Sequence, residues 1–183
     1  RRGIKVSPDI MMPLVDLREE MVRLRSMANE QAKKTMAAEN IEVYYQVGTM
    51  IELPRAALIA DQIAEFADFF SFGTNDLTQT TFGYSRDDAE NKFLGVYVQE
   101  GILSVNPFST LDREGVGALM RIAAEKGRKA RPSIKIGICG EHGGDASSIA
   151  FCNSLQMNYV SCSPFRVPVA RLSAAHSAMG LIA

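Results

Sequence analysis

The feature that most constrains the fold is an alternation of short apolar runs with longer amphipathic segments. Each apolar run is rich in β-branched or aromatic residues and has the length of one buried strand. The amphipathic segments carry apolar residues at helical spacing, and in the first of them, residues 16–39, Leu17, Met21, Leu24 and Ala28 recur among charged residues. Buried strands that alternate with helices are typical of a parallel sheet covered by helices. The sequence therefore predicts an α/β protein.

The predicted elements follow one another as strand and helix along the chain. Residues 85–111, which contain Gly95, Gly101 and Pro107, are predicted to be irregular. Asp16 and Asp145 are predicted to cap the helices that follow them. Periodicity is compatible with both a doubly wound sheet and an α/β barrel. Strands are predicted at residues 9–15, 41–51, 69–72, 134–139 and 159–162, main helices at 16–39, 54–67, 112–129, 145–156 and 166–178, and a short helix at 76–81.

Composition excludes several classes of protein. The chain has 183 residues, of which 46 % are apolar and 22 % charged, as in an ordinary globular domain. A net charge of −1 provides no basic surface for nucleic acid, and no apolar run is long enough to cross a membrane. Three cysteines without CxxC spacing predict neither a disulfide scaffold nor a zinc site. They fit a reducing compartment, so we expect the cytoplasm or an organelle such as a plastid or glycosome.

Polar residues follow the predicted strands at the ends where α/β proteins bind ligands. Glu52 comes directly after an apolar run, and Asp76 follows a Gly-Thr-Asn turn after the next strand. Two carboxylates from neighbouring strand ends would suit Mg²⁺, which takes oxygen ligands and keeps several waters. The alternatives are helix N-caps and exposed surface carboxylates.

The turn formed by Gly73, Thr74 and Asn75 could present backbone N–H groups and an amide to an anionic ligand. Its alternative is an Asx-type turn before a helix. Cys139 ends the fourth predicted strand, within a glycine-rich turn, and a thiol there could act as a general acid or base. Its alternative is a buried, inert cysteine, which is the expectation for Cys152.

Three stretches resemble the C-terminal phosphoenolpyruvate/pyruvate domain of the pyruvate, phosphate dikinase family. The core motif FGTNDLTQ (72–79) is shared with phosphoenolpyruvate synthase and with enzyme I of the sugar-transport phosphotransferase system. The longer sequence FSFGTNDLTQTTFGYSRDD and the C-terminal segment CSPFRVPVARL favour the dikinases. The stretches are GTMIELPRAALIADQIAEFADFFSFGTNDLTQTTFGYSRDD (48–88), KIGICGEHGGDASSIAFC (135–152) and NYVSCSPFRVPVARLSAA (158–175).

The resemblance implies a partial (β/α)₈ barrel, with residues 1–183 forming the C-terminal portion of about five strands. A complete barrel needs about 250 residues, so the first strands and their phosphate-binding arginines are expected before Arg1. Arg1 and Arg2 have no counterpart among those arginines. We therefore expect that the given sequence begins within a longer chain. The phosphohistidine and ATP-grasp domains of the family are also absent from these 183 residues.

The resemblance also assigns roles to individual residues. It implies that Glu52 and Asp76 hold Mg²⁺, and that Glu52 and the loop Gly73-Thr74-Asn75-Asp76 contact substrate. It implies that Cys139 exchanges a proton with the methyl carbon of pyruvate. Glu141 and His142 match the family's sequence in the stretch 135–152, and we expect them only to support the site.

The implied reaction interconverts ATP, pyruvate and phosphate with AMP, phosphoenolpyruvate and diphosphate. The implied partners are pyruvate or phosphoenolpyruvate, the phosphohistidine domain of the parent chain and a second copy bound through the barrel domain. Two alternatives remain, namely phosphoenolpyruvate synthase or another PEP-utilising phosphotransferase, and a non-catalytic fragment or dimerisation module. We expect these 183 residues to be inactive when isolated.

Overall fold

The predicted strands lie side by side in one parallel sheet, in their order along the chain. In the computed structural model, which describes residues 6–182, they are β1 (Asp9–Met12), β2 (Gln46–Ile51), β3 (Phe69–Gly73), β4 (Lys135–Cys139) and β5 (Tyr159–Val160). Arg1 and Arg2, considered above, lie outside the described residues. The α/β fold class is confirmed, and closure into a barrel stays a prediction.

Helices connect consecutive strands and cover the sheet. The predicted helix 54–67 is divided in two because Ile59 leaves helical geometry, with φ −114° and ψ 25°. The helices are α1 (Arg18–Glu39), α2 (Pro54–Leu58), α3 (Ala60–Ala64), α4 (Thr74–Phe82), α5 (Arg86–Lys92), α6 (Leu94–Gln99), α7 (Val116–Ala130), α8 (Ala146–Ser154) and α9 (Val167–Ala178). Single 3₁₀ turns lie at Glu141–Gly144 and Pro164–Arg166.

The prediction that residues 85–111 are irregular is wrong, because α5 and α6 form there. Ser85 accepts a hydrogen bond from the Asp88 N–H at the start of α5. The two helices bury Ala89, Leu94 and Phe108 in a small cluster of their own. Short helices that are stabilised by such a cluster show little hydrophobic periodicity. The glycines and the proline in this segment also favoured the prediction of an irregular structure.

The predicted starts of α1 and α7 are also wrong. Asp16 does not cap α1, because Leu17 occupies that position and the Glu20 carboxylate accepts the N–H groups of both residues. α7 begins at Val116 rather than at Asp112, whose carboxylate accepts hydrogen bonds from the first free N–H groups of the helix. The N-cap predicted at Asp145 is confirmed by its hydrogen bond from the Ser148 N–H.

The main core lies between the sheet and helices α2, α3 and α7. Phe70, Phe72, Ile136 and Ile138 are fully buried in the central strands. A Cβ atom at Gly127 of α7 would lie 2.7 Å from the ring of Phe70, so glycine permits close packing of that helix on β3. This packing holds the carboxyl ends of β3 and β4 level, with Gly73 paired with Cys139.

Asp68 joins several elements at the opposite end of the sheet. Its carboxylate, which is 12 % exposed, accepts hydrogen bonds from Arg25 of α1, Arg131 after α7 and the Val47 N–H of β2. Burial raises the pKa of Asp68, but the Val47 N–H and the two guanidinium groups outweigh burial and hold that pKa below its ordinary value. This ion-pair network therefore lies at the end of the sheet opposite Glu52 and Cys139.

Within residues 6–182, we find no helix that combines the length and the apolar character needed to span a bilayer.

Candidate functional site

Glu52 lies directly after β2 and is only 3 % exposed. Its Oε1 accepts a hydrogen bond of 2.7 Å from the N–H of Leu14, whose backbone has a φ of 53°, in the left-handed region that leucine rarely adopts. Its other oxygen, Oε2, would be 2.3 Å from a Cβ atom at residue 73, so the glycine there makes room for the carboxylate. Glu52 is therefore neither a helix N-cap nor an exposed surface carboxylate.

Asp76 lies in the first turn of α4, where Gly73 rather than Asp76 is the N-cap. Its Oδ1 accepts a hydrogen bond of 3.1 Å from Gln79 Nε2. Burial raises the pKa of Glu52, the Leu14 hydrogen bond opposes this, and the neighbouring Asp76 carboxylate raises it further. The Asp76 carboxylate thus lies close enough to disfavour the negative charge of Glu52.

A divalent cation would relieve this repulsion. No group of three or more Asp, Glu, His or Cys side chains within residues 6–182 is arranged to hold a metal. Two carboxylates are nevertheless sufficient protein ligands for Mg²⁺, which completes its octahedron with water and substrate oxygens. The donor set at Glu52 and Asp76 fits Mg²⁺, and binding of the ion stays a prediction.

The predicted loop Gly73-Thr74-Asn75-Asp76 is not a loop, because β3 ends at Gly73 and α4 begins at Thr74. This junction of strand and helix brings the predicted substrate-binding residues together. Asn75 Oδ1 is buried and has no hydrogen-bond partner among the described residues, so it does not form the Asx turn that was the alternative. Asn75 lines a cavity of about 310 Å³ together with Gly140, Gly144 and Arg166. An amide with spare hydrogen-bonding capacity beside such a cavity can contact a polar ligand.

Cys139 is the last residue of β4 and is half-buried, so it lacks the full burial that the alternative assumes, and its role as an acid or base stays a prediction. Its Sγ lies 3.5 Å from the Phe72 carbonyl oxygen. Burial raises the pKa of the thiol, a hydrogen bond with Ser71 lowers it, and the carboxylates of Glu52 and Asp76 raise it again. At neutral pH, Cys139 is therefore a protonated thiol and can donate a proton.

Gly140 turns the chain sharply after Cys139. Its φ of 108° and ψ of −173° belong to a region that is essentially restricted to glycine. Cys152, by contrast, is buried in α8, and burial raises the pKa of its thiol to about 12. The expectation of a buried cysteine is confirmed at that position.

The side chain of His142 is buried more deeply than we expected for a residue that only supports the site. It is fully buried, and its Nε2 lies 2.9 Å from the Pro107 carbonyl oxygen. Since a carbonyl can only accept, Nε2 carries the proton and Nδ1 accepts a hydrogen bond of 2.7 Å from the Thr74 hydroxyl. His142 thus joins Thr74, the first residue of α4, to Pro107 in the segment after α6.

Two further polar residues of the site were missed from the sequence. Gln79 contacts Asp76 from one helical turn away, a spacing that does predict contact on a helix. Arg86 pairs with both carboxylate oxygens of Glu141, at 3.0 and 2.7 Å, across 55 residues of sequence. No local pattern predicts a pair that distant.

Comparison with known proteins shows the family of this chain. Residues 2–179 match the family described as PEP-utilising enzyme, PEP-binding domain. The chain is 59 % identical over 174 residues to pyruvate, phosphate dikinase 1, chloroplastic, of Arabidopsis thaliana, covering 95 % of this chain and 18 % of that protein.

Two further relatives come from rice and from a bacterium. Pyruvate, phosphate dikinase 2 of Oryza sativa subsp. japonica is 56 % identical, covering 95 % of this chain and 20 % of that protein. Pyruvate, phosphate dikinase of Rhizobium meliloti (strain 1021) is 58 % identical, covering 96 % of this chain and 19 % of that protein. The chain spans about a fifth of the length of these curated relatives.

Proposed function

Because this chain belongs to the family of PEP-utilising enzymes, through their PEP-binding domain, we propose that it is the pyruvate-binding part of a pyruvate, phosphate dikinase. The complete protein would interconvert ATP, pyruvate and phosphate with AMP, phosphoenolpyruvate and diphosphate. One observation supports this proposal above all. The carboxyl ends of β2, β3 and β4 lie next to one another, and the carboxylates of Glu52 and Asp76 therefore lie beside the protonated thiol of Cys139.

Glu52 and Asp76 would hold Mg²⁺, and the junction Gly73-Thr74-Asn75-Asp76, where β3 passes into α4, would contact the substrate. When bound, the cation would stabilise the negative charge that develops on the enolate oxygen of pyruvate. The carboxylates supply two negative charges for the ion, and Gly73 leaves the space in which Glu52 lies. Asn75 lines the adjacent cavity, and its buried amide oxygen has no hydrogen-bond partner among the described residues.

Cys139 would act on the methyl carbon of the substrate. In the direction of pyruvate formation, its S–H bond breaks and the proton adds to the methylene carbon of enolpyruvate, which leaves a thiolate. In the reverse direction, the thiolate removes a proton from the methyl group. The raised pKa of Cys139 supports this role, because the proton remains on sulfur at neutral pH until the enolate forms.

The remainder of the protein would supply the other partners. A phosphohistidine domain would carry the phosphoryl group between nucleotide and enolpyruvate, and the barrel domain would form a homodimer. We propose a reducing compartment, in the cytoplasm or an organelle, as the location. The 183 residues alone would not turn over substrate.

Replacement of Cys139 tests the proposal. In the full-length protein, Cys139→Ala should abolish exchange of pyruvate methyl protons with solvent, while the histidine domain is still phosphorylated by ATP. Exchange is followed by NMR in D₂O and phosphorylation by mass spectrometry. Cys152→Ala, which removes the buried thiol of α8, is the control and should retain exchange. Exchange at the normal rate in Cys139→Ala would disprove the assigned role.

A second measurement separates two enzymes that share the FGTNDLTQ motif. A dikinase consumes inorganic phosphate together with pyruvate and releases diphosphate, whereas phosphoenolpyruvate synthase releases phosphate. Formation of phosphoenolpyruvate should therefore depend on added phosphate and yield diphosphate. Activity without added phosphate would favour the synthase instead.

A further inference from the structure

The side-chain amide of Gln79 makes two hydrogen bonds, one as a donor and one as an acceptor. It lies on α4 three residues after Asp76, and its Nε2 donates to Asp76 Oδ1 at 3.1 Å. Its Oε1 accepts a hydrogen bond of 2.8 Å from the backbone N–H of Arg86. The side chain therefore links one of the proposed metal-binding carboxylates to the first residue of α5.

The backbone partner determines the orientation of the Gln79 amide. The oxygen and nitrogen of a side-chain amide have similar shapes, so the two atoms can often exchange places without a steric conflict. A backbone N–H can only donate, so the oxygen of Gln79 must face Arg86 and its NH₂ group must face Asp76. Arg86 is also the first residue of α5, where the N–H groups have no partner within the helix.

The same network reaches the turn that follows Cys139. The Arg86 guanidinium donates to both carboxylate oxygens of Glu141, which lies two residues after Cys139. It also donates to Glu90 one turn further along α5, at 3.2 Å. Through Gln79 and Arg86, Asp76 on one side of the site is connected to Glu141 on the other.

We propose that Gln79 is a positioning residue, which holds the Asp76 carboxylate in the orientation that binds the divalent cation. With Oδ1 restrained by Gln79, the carboxylate cannot rotate freely and retains lone pairs for a metal. Residues that orient metal ligands in this way affect metal affinity as well as activity. This inference rests on the proposed function, since it assumes that Asp76 binds the cation.

The test measures cation affinity in the full-length protein, with Mn²⁺ as a paramagnetic substitute for Mg²⁺. Gln79→Met has a side chain of similar length but makes neither hydrogen bond. We expect its dissociation constant for Mn²⁺, measured by electron paramagnetic resonance, to rise about tenfold, in the range known for such outer-shell residues. Gln79→Asn is too short to reach both partners and should show the same change.

Ser85→Ala is the matched control. It removes the other side chain that caps the start of α5 but leaves the contact between Gln79 and Asp76 intact. If Gln79 positions Asp76, Ser85→Ala lowers the thermal midpoint without changing Mn²⁺ affinity. Equal loss of affinity in both variants would mean that Gln79 acts only by anchoring α5, and would overturn the proposal.

Two other outcomes are equally decisive. A folded Gln79→Met protein that binds Mn²⁺ as tightly as the wild type overturns the positioning role alone, provided that Glu52→Gln weakens binding. If the wild type does not bind Mn²⁺, or if Glu52→Gln has no effect, the proposed metal site itself fails, and the role of Gln79 fails with it.

Discussion

The thiol of Cys139 shows, at the scale of single residues, how its surroundings set its chemistry. It is half-buried at the end of β4, and the carboxylates of Glu52 and Asp76 lie close enough to disfavour a thiolate. We expect iodoacetamide to modify it slowly at pH 7, with a midpoint of reactivity above the ordinary thiol pKa of 9.0. Peptide mass spectrometry after timed alkylation measures this rate.

Glu52→Gln provides the comparison for this prediction. Removal of one negative charge should lower the pKa of Cys139 and move its reactivity to lower pH. Full alkylation of Cys139 in the wild type at pH 7, at the rate of a free thiol, would contradict the prediction.

His142 predicts a pH dependence of stability. Burial lowers its pKa below the ordinary value of 6.5, and the Pro107 carbonyl and the carboxylates of Asp145 and Glu141 oppose this only in part. Below about pH 6.5 the unfolded chain therefore binds a proton that the folded chain resists, so the free energy of unfolding falls as the pH falls. Urea unfolding between pH 5 and 8 measures this dependence.

His142→Gln should reduce the slope of stability against pH over this range, because it removes the titrating group. His176→Gln is the control, since His176 lies in α9, away from Thr74 and Pro107. Equal slopes in the wild type and in His142→Gln would show that His142 does not contribute.

At the scale of elements, Asp68 connects α1, β2 and the segment after α7. Asp68→Asn leaves the guanidinium groups of Arg25 and Arg131 without their carboxylate, and we expect a loss of about 2 kcal/mol in the free energy of unfolding at pH 7. Since the folded pKa of Asp68 is lowered, this stabilisation is present above the ordinary value of 3.8 and is lost as the pH falls through the folded value.

Denaturant unfolding at pH 7 and at successively lower pH tests this prediction, and the difference between wild type and variant should narrow on acidification. Asp61→Asn is the control, because its ion pair with Lys126 is exposed on both sides and should contribute less than about 0.5 kcal/mol. A difference for Asp68→Asn that stays constant down to pH 2 would contradict the mechanism.

The element boundaries show where local patterns succeed and fail. β3 and β4 were predicted within one residue, because each is an apolar run ended by glycine. β2 starts five residues later than predicted, at Gln46, although Ile41 to Tyr45 include β-branched and aromatic side chains. Within residues 6–182, no strand pairs with residues 41–45, and Tyr44 is 71 % exposed there. Strand propensity without a paired strand does not make a sheet element.

At the scale of the whole molecule, the sheet has two open sides. In the described part of the chain, β1 pairs only with β2, and β5 pairs only with β4. Large apolar side chains are exposed at both sides, including Leu14 after β1 and Phe165, which is 95 % exposed, before α9. Unpaired strand edges beside apolar surface favour association between chains.

We therefore expect the isolated 183-residue chain to self-associate. Sedimentation velocity at increasing concentration should give a rising average mass, and Phe165→Ser combined with Leu172→Ser should reduce the rise. Val96→Ser, which removes an exposed apolar side chain of α6, is the control and should have little effect. A constant monomeric mass at all concentrations would contradict this prediction.

Sequence patterns were sufficient to predict the order of the strands and the parallel sheet, and they predict the end of the sheet at which the site lies. These features depend on patterns within a few residues, such as the apolar run before Glu52 and the glycine-rich turn after Cys139. Three features became visible only in the folded chain: Glu52 is buried against Gly73 and Leu14, His142 joins Thr74 to Pro107, and Arg86 pairs with Glu141. These contacts join residues distant in sequence, and the resulting burial and neighbouring charges set the pKa of Glu52 and Cys139.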